Sequence, residues 1–332
     1  MDKKVLTIGE TLIRLNVDGY YSGVNTLRYF IGGDALNVAS LLGYNGNDVS
    51  YLTFLDKNHV FYKRILEHFN MHNINTSYVF EGEGRLGTYY YIGKTTTKSQ
   101  RVDYDRTFSS FSQSKLSMQL IYGIVKDKFS WIHMSATTLS LNKKMWKHLH
   151  ELYRDASNKK IMTSLDLTYE PEAWASYGLY LEAVEPMLEN TRFLIGWFDK
   201  DEMKEVKPSF TLDDYKKKMN VFLAKYLNVK IIVTPLKIVN KGKTYLKTYY
   251  YTNNCFYETE AVEFKEAFAN GSIDAFIAFL IHRQLKDKNL KTAVEYATKA
   301  YILNNWYHGD SPEITEEELE DFNIKILPNE DQ

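Results

Sequence analysis

A glycine turn followed by an acidic residue lies near the C-terminal end of the chain. Residues 270–276 read Asn270-Gly271-Ser272-Ile273-Asp274-Ala275-Phe276. The apolar run that begins at 275 predicts a buried helix, and a glycine turn at a helix N-terminus offers backbone N–H groups to a phosphate. Asp274 falls in the first helical turn, where a carboxylate is stabilised as an anion and can accept a proton. An anion-binding site beside a general base is the least that a phosphoryl-transfer site requires. An ordinary helix start also fits this segment.

A second glycine turn lies near the N-terminus. Residues 31–39 read Ile31-Gly32-Gly33-Asp34-Ala35-Leu36-Asn37-Val38-Ala39. Paired glycines let the backbone approach a ligand closely, and the helix that follows carries Asn37 in its first turn. A polyhydroxylated ligand would bond to the backbone N–H groups and to the Asn37 amide. A plain strand-to-helix turn explains the same residues when this segment is taken alone.

These turns need a scaffold, and the pattern along the chain predicts strands that alternate with helices. Strand-like apolar runs occur at 5–8, 49–53, 129–133, 161–166, 193–195 and 230–233. Helix-like runs occur at 34–42, 60–72, 143–153, 211–226, 275–285 and 290–305. Such alternation is typical of a largely parallel sheet covered by helices on both faces. Since no repeat or linker divides the chain, we expect one α/β domain over about residues 1–325.

Two stretches, at about 12–29 and 77–105, break this rhythm. They are rich in Tyr, Thr and Gly and alternate like antiparallel strands, as in Thr88-Tyr89-Tyr90-Tyr91-Ile92. We expect them to pair into a small sheet outside the main one. Such a lid would cover a cleft and exclude water during group transfer. The alternative is a pair of surface hairpins without a role.

Composition excludes several classes of protein. The 332-residue chain is long enough to bury a large core. Its formal net charge of −1 gives no reason to expect binding to nucleic acid or to an anionic membrane. The single cysteine, Cys255, excludes an intramolecular disulfide framework. No apolar run approaches the roughly 18 residues of a membrane span, and the N-terminus has no signal-peptide pattern, so we expect a cytoplasmic protein.

Together the two glycine turns resemble those of the ribokinase-like (PfkB) carbohydrate kinases, whose marks are an early Gly-Gly-x-x-x-Asn and a late Gly-Ala-Gly-Asp-type anion hole. Further segments look closest to the 2-keto-3-deoxygluconate kinase branch. In chain order, these segments are 9–15, 85–89, 102–106 with Ser109 and Ser110, 131–135, 164–169 and 308–310. The resemblance runs from about residue 4 to about residue 320. It implies a three-layer α/β/α ribokinase-like fold with a central mostly parallel sheet and a small β-sheet lid.

The resemblance also implies roles in ATP-dependent phosphorylation of a sugar or sugar acid, with 2-keto-3-deoxygluconate as the first candidate. Asp274 would be the base that deprotonates the sugar hydroxyl, while Gly271 and Ser272 would give N–H groups to the transferring phosphoryl group. The residues expected to bind the substrate are Gly33, Asn37, Tyr89, Tyr104, Arg106 and Thr168. Arg106 would pair with a substrate carboxylate in a bidentate fork. The residues expected at the nucleotide are Asn270, Gly271 and Thr234, and those expected at Mg²⁺ are Asp199 and Glu202.

Several residues depart from the family pattern. Phe268 stands where the last motif normally has an Asp, and Ile273 stands at its second Gly, where a stiff β-branched side chain would crowd a phosphate. After Asp166 the family has an Asn and then an Arg. This chain has Thr168 and Glu170 instead, and Glu170 would repel an anionic substrate.

These departures leave two other functions open. One is a kinase for a neutral sugar such as a ketohexose, in the manner of a fructokinase. The other is a catalytically weak relative that binds a sugar or nucleotide without transfer.

The family's Asn-x-x-Glu segment, which helps to place magnesium, is matched by residues 199–202 only if two residues are inserted after Gly196. In related proteins the lid often pairs between subunits, so we expect a homo-oligomer formed through the lid.

Overall fold

A computed structural model of the chain describes residues 3–18, 26–92, 101–197, 205–265, 270–307 and 309–322. In these ranges the strands are β1 Val5–Ile8, β2 Leu12–Asp18, β3 Thr26–Gly32, β4 Val49–Leu55, β5 Ile74–Asn75, β6 Val79–Glu81, β7 Gly87–Ile92, β8 Arg101–Asp105, β9 Trp131–Ser135, β10 Met162–Asp166, β11 Phe193–Ile195, β12 Glu205–Val206, β13 Ile231–Asn240, β14 Lys243–Thr252, β15 Cys255–Glu258 and β16 Val262–Phe264. The α-helices are α1 Asp34–Tyr44, α2 Tyr62–Met71, α3 Ser110–Gln113, α4 Met118–Lys126, α5 Ala136–Leu141, α6 Trp146–Asn158, α7 Tyr177–Leu188, α8 Leu212–Lys225, α9 Ser272–Lys286, α10 Leu290–Asn304 and α11 Glu316–Asp321. Short 3₁₀ helices lie at Lys143–Met145 and Pro171–Ala173.

The main sheet runs in the order β15-β14-β13-β11-β10-β9-β1-β4-β5. Neighbouring strands from β13 to β5 are parallel, whereas β14 and β15 continue the sheet antiparallel. Parallel strands covered on both faces need continuous apolar sequence, and β1 and β11 are buried at every position. The predicted α/β fold with a central, mostly parallel sheet is therefore confirmed.

Helices cover both faces of this sheet. Successive residues of a strand point to opposite faces, and the β11 residues divide accordingly. Leu194 packs in an apolar cluster with residues of α4, α6, α7 and α8. Phe193 and Ile195 pack in a second cluster with residues of α1, α2, α9 and α10. The arrangement is the expected three-layer one. No helix within the described ranges is both long and apolar enough to cross a bilayer.

A second, smaller sheet has the order β3-β2-β7-β8. Strand β2 pairs antiparallel with β3 and parallel with β7, while β7 and β8 form an antiparallel pair. The expected small sheet is thus present, and it is called the lid sheet below. Strand β6 falls inside the second predicted stretch but pairs with β4 of the main sheet. Residues 19–25 and 93–100, also within the predicted lid, lie outside the described residues.

Candidate active site

A cavity of about 360 Å³ lies where the N-termini of α1 and α9 meet the lid sheet, the end of β10 and the middle of β13. It brings together most of the residues that the sequence predicted for a site. Those that line it are Gly33, Asn37, Tyr89, Tyr104, Arg106, Thr168, Asn270, Gly271 and Asp274. The two glycine turns, more than 230 residues apart in sequence, therefore open into one cavity.

The Gly271 turn has a backbone that only glycine adopts without strain. Its φ is 75°, in the left-handed region, and it caps the N-terminus of α9. A Cβ at this position would lie 2.1 Å from the backbone oxygen of Asp310. Since the first four N–H groups of a helix have no intrahelical partner, the turn presents backbone donors beside the cavity. The Ser272 hydroxyl is turned away, because it is buried and accepts hydrogen bonds from Asn304 and Asn305.

Asp274 lies in the first turn of α9, as predicted, and is almost completely buried. Its Oδ2 accepts a hydrogen bond of 2.7 Å from Nδ2 of Asn37 in α1. Burial raises the pKa of Asp274 well above its ordinary value, and the carboxylate of Asp34 adds to this, while the bond from Asn37 opposes it. The two glycine turns are thus joined by a hydrogen bond between the expected base and the expected sugar-binding amide.

The Gly33 turn is built as tightly as the first. Gly33 has φ 133°, and a Cβ there would lie 2.2 Å from the backbone oxygen of Glu10. Its carbonyl accepts the first α1 hydrogen bond, from the N–H of Asn37 at 2.8 Å. Asp34, the first residue of the helix, lines the cavity with its neighbours.

Asp166, at the end of β10, forms another wall. Both the backbone N–H and the hydroxyl of Thr168 donate to its Oδ1, at 3.0 and 2.8 Å. Burial raises the pKa of Asp166 to about 7 in spite of these bonds. Thr168 therefore reaches the cavity, as predicted, but its hydroxyl is committed to Asp166.

Arg106 lines the cavity from the end of β8 and is already held by a carboxylate. Its Nε donates to Glu10 at 2.8 Å, and the Ser109 hydroxyl donates to the same carboxylate. The guanidinium also lies 5.2 Å from the centre of the Tyr104 ring, and Tyr104 in turn packs against Tyr89 with ring centres 5.5 Å apart. Any fork toward a substrate would therefore have to come from the terminal nitrogens of Arg106.

A buried ion pair ties the lid sheet to the far end of the chain. Nη1 of Arg14, in β2, lies 2.5 Å from Oδ1 of Asp310, and both side chains are almost wholly buried. Burial raises the pKa of Asp310 to about 6, against the opposing effect of Arg14. Since the Asp310 backbone also touches Gly271, the lid strand is coupled to the turn at α9 through one residue.

Of the three remaining predicted contacts with the nucleotide and metal, one does not line this cavity and two lie outside the described residues. The Thr234 side chain is fully buried in β13, where it bonds to the Tyr215 hydroxyl at 2.9 Å and donates to the Gly196 carbonyl at 3.1 Å. Asp199 and Glu202 lie outside the described residues, as does Phe268. Among described residues, no group of three or more His, Cys, Asp or Glu side chains is arranged to hold a metal ion.

The cavity is also lined by residues to which no role was assigned from the sequence. Asp34 follows Gly33 at the start of α1 and Asp310 follows Gly309, and these glycines were the available signal. Glu170 appeared only as a departure from the family pattern, and Lys237 lay beyond the strand predicted at 230–233. Ile273 lines the cavity beside Gly271, as its place in the motif required.

This arrangement has the parts of a phosphoryl-transfer site. It combines backbone donors at a helix start, a buried carboxylate that can take up a proton, and aromatic and amide groups for an acceptor. A model of the pfkB family carbohydrate kinases matches residues 2–235, more than half of the chain. The chain belongs to this family. It is therefore a phosphotransferase of the carbohydrate kinase type.

Relatives of this pfkB chain include 2-keto-3-deoxy sugar acid kinases. The 2-dehydro-3-deoxygalactonokinase of Haloferax volcanii is 22% identical over 322 residues, which cover 96% of each chain. The solved 2-dehydro-3-deoxygluconokinase of Thermotoga maritima has a TM-score of 0.82 and 23% identity, covering 96% of this chain and 98% of that one. A putative ribokinase II from E. coli, solved with ATP and Mg²⁺, has a TM-score of 0.75 and 16% identity, with 96% and 98% covered. At these identities the structures establish the ribokinase-like fold.

Proposed function

We propose that the chain catalyses ATP-dependent phosphorylation of a hydroxyl group on a small sugar or sugar-like compound. The observation that carries this proposal is the bond between Asn37 and Asp274. This bond joins Asn37 to a buried carboxylate of raised pKa, which lies at the start of α9 beside the Gly271 turn. A carboxylate whose pKa is raised by burial has a higher proton affinity, which favours its action as a general base.

In this proposal Asp274 takes the proton of the substrate hydroxyl while the hydroxyl oxygen bonds to the γ-phosphorus of ATP. The bond from that phosphorus to the bridging oxygen breaks, and ADP leaves. Backbone N–H groups at Gly271 and Ser272 bind the oxygens of the transferring group. At such sites Mg²⁺ is held by phosphate oxygens and by one or two carboxylates. The carboxylates that line this cavity would supply ligands of that kind. Bound Mg²⁺ would offset the negative charge of the phosphates.

The first candidate acceptor is 2-keto-3-deoxygluconate. The names of the relatives from Haloferax volcanii and Thermotoga maritima support it, as does the position of Arg106 on the cavity wall. A neutral sugar is the second candidate. It is favoured by Glu10, which already binds Nε of Arg106, and by the carboxylate of Glu170 on the same wall.

A catalytically weak relative is the third candidate, and one observation favours it. The side chain of Ile273 lies on the cavity wall beside Gly271, where the family has a second glycine. If it keeps the phosphates too far from Asp274, ATP would bind and transfer would fail.

The test is ADP release from MgATP with a panel of sugars and sugar acids. Asp274→Asn should leave folding and ligand binding intact and reduce kcat by orders of magnitude, because the amide cannot accept the proton. The control is Asp213→Asn, which changes an exposed carboxylate in the first turn of α8. Undiminished turnover in Asp274→Asn contradicts the mechanism. Thermal stabilisation by ATP without turnover on any acceptor supports the weak relative.

We also propose a homo-oligomer that forms through the lid sheet. Leu27, Tyr29 and Tyr90 expose 59%, 47% and 39% of their surface on its strands, which is unusual for large apolar side chains. Size-exclusion chromatography with light scattering should show a dimer or larger species. A Leu27→Glu variant should shift it toward the monomer.

A further inference from the structure

Two consecutive asparagines at the end of α10 contact the Gly271 turn from within the protein. Asn304 and Asn305 are 0% and 1% exposed, and neither lines the cavity. Nδ2 of Asn304 donates to the carbonyl of Asn270 at 2.8 Å and to the Ser272 hydroxyl at 3.3 Å. Nδ2 of Asn305 donates to the same hydroxyl at 2.9 Å. The residues before and after Gly271 are therefore both tied to the end of one helix.

Backbone carbonyls fix which end of each amide faces the turn. A carbonyl oxygen only accepts hydrogen bonds, so Asn304 must present its NH₂ group to Asn270. In the same way Asn305 donates from Nδ2 to the carbonyl of Tyr301, in the last turn of α10, at 2.8 Å. The two amide oxygens then point elsewhere, and within the described part of the chain neither has a hydrogen-bond partner. Both side chains thus act as donors here.

The stability of the fold alone does not account for this pair of amides. A buried polar atom without a hydrogen bond destabilises the folded state at least as much as a typical hydrogen bond stabilises it. The unpaired oxygens of Asn304 and Asn305 therefore offset much of what their NH₂ groups contribute. Unpaired buried atoms of this kind call for an explanation, and the groups that the two amides hold supply one.

The bond from Asn304 sets the direction of a neighbouring N–H group. The Asn270 carbonyl and the Gly271 N–H belong to one planar peptide unit, and in a trans peptide they point in opposite directions. Since the carbonyl points to buried Asn304, the N–H of Gly271 points to the opposite side of the turn. Asn270 and Gly271 both line the cavity. Rotation of this peptide unit would change the direction of one of the backbone donors beside the cavity.

A glycine turn resists such a rotation weakly by itself. Gly271 has no Cβ, so its backbone can adopt left-handed and right-handed conformations with similar ease. The turn is held instead by its neighbours, which are the Asp310 backbone and the two asparagine side chains. Ser272 takes the place of the alanine in the Gly-Ala-Gly-Asp-type motif, and its hydroxyl gives the asparagines an acceptor that alanine lacks.

We propose that Asn304 is a positioning residue that directs the Gly271 N–H toward the transferring phosphoryl group, and that Asn305 supports it through Ser272. The proposal rests on the kinase function proposed above and concerns the same site. A donor that is held in place before the reaction stabilises developing charge without further rearrangement. An interaction made mainly in the transition state raises kcat more than it tightens substrate binding.

Replacing Asn304 by leucine removes the donor with little change in shape. In the ADP-release assay, Asn304→Leu should lower kcat about 10- to 100-fold, because removal of one preorganised donor costs about 100- to 1,000-fold and a misdirected donor costs less. KM for ATP should change little. The matched control is Asn142→Leu. Asn142 is 6% exposed, its Nδ2 donates to the Ser114 carbonyl at 2.8 Å, and it does not line the cavity. This control should keep the wild-type kcat.

A second measurement follows the Gly271 N–H itself and needs no turnover. Labelling with ¹³C-carbonyl asparagine and ¹⁵N-glycine selects the amides of Asn-Gly pairs, of which the chain has two, at 45–46 and 270–271. The probe is Mg²⁺ with β,γ-imido-ATP, which resists transfer. We expect the Gly271 signal to shift at saturation. The Gly46 signal should stay, because its N–H is bonded to the Gly43 carbonyl at 3.0 Å. Asn304→Leu should lose most of the Gly271 shift.

The outcomes separate the positioning role from the kinase function. An unchanged kcat in Asn304→Leu, or a parallel loss of kcat and ATP binding, contradicts the positioning role while turnover of the wild type leaves the kinase function standing. A wild-type Gly271 signal that does not respond to the nucleotide also contradicts it, and this result needs no variant to fold. A Gly271 shift that depends on Asn304, without turnover on any acceptor, supports the positioning role and contradicts the proposed kinase function.

Discussion

Replacing Asn37 by alanine tests whether the bond between α1 and α9 sets the proton affinity of the base. The Nδ2 group donates to Asp274 at 2.7 Å in a buried setting and favours the ionised carboxylate. A hydrogen bond to a charged group contributes about 1.5–3 kcal/mol. Since one pKa unit corresponds to about 1.4 kcal/mol, loss of the bond should raise the pKa of Asp274 by about 1–2.

The assay is the pH dependence of kcat/KM for ADP release, measured with whichever acceptor turns over. Asp274 must be ionised to accept a proton, so activity falls on the acid side as the carboxyl becomes protonated. A higher pKa moves this acid limb upward by about 1–2 pH units in Asn37→Ala. A change in substrate contact alone would alter KM without moving the limb.

The matched control is Asn45→Ala, at the C-terminal end of the same helix. Asn45 donates to the carbonyls of Leu41 and Ile314 and does not line the cavity. Its acid limb should coincide with that of the wild type. An unmoved or lowered limb in Asn37→Ala would refute the idea that this bond adjusts Asp274.

Three further outcomes follow from the same geometry. Gly271→Ala should lower Tm in thermal unfolding far more than Gly242→Ala. Both glycines have φ near 75–78°, but of the two only Gly271 has a backbone atom, the Asp310 oxygen, within 4 Å of the new Cβ. Equal decreases in Tm would contradict the close contact. Arg14→Ala should cost about 3–5 kcal/mol in denaturant unfolding, since it leaves buried Asp310 without its cation; a cost near zero would show that this carboxyl is neutral. Asp274→Asn should raise Tm above that of the wild type at pH 7–8 but not near pH 4. A carboxyl whose pKa is raised on folding makes the folded protein less stable as the pH rises past the ordinary carboxyl pKa of about 4. A Tm difference that stays the same across this pH range would contradict the raised pKa.

Much of the fold could be predicted because its elements have strong local signals. Strands such as β1 and β11 are short, mostly apolar and fully buried, and α9 begins at a glycine turn and is buried for most of its length. The expected strand at 230–233 was too short, since β13 continues to Asn240 and turns into β14. The Tyr- and Thr-rich β14 was not among the predicted strands, and it pairs with β13 inside the main sheet.

The site was predicted less completely because its electrostatics depend on contacts between distant segments. The glycine turns and Asn37 could be found from local motifs. That Glu10 would bind Arg106, 96 residues away, is not encoded in any local pattern. Nor does the sequence show that Asp34 faces the cavity, because the first turn of any helix favours an acidic residue. The hydroxyl of Thr234 was expected at the nucleotide, but the alternation along β13 turns it toward Tyr215.

The ion pair between Arg14 and Asp310 joins residues 296 positions apart. During synthesis, the lid strand β2 emerges long before Asp310, the partner of Arg14, exists. Arg14 can be buried at low cost only after the ribosome has made the segment around Asp310. A nascent or truncated chain that ends before this residue would hold an uncompensated cation at the lid and an open Gly271 turn. Formation of the Gly271 turn is thereby linked to synthesis of the residues around Asp310.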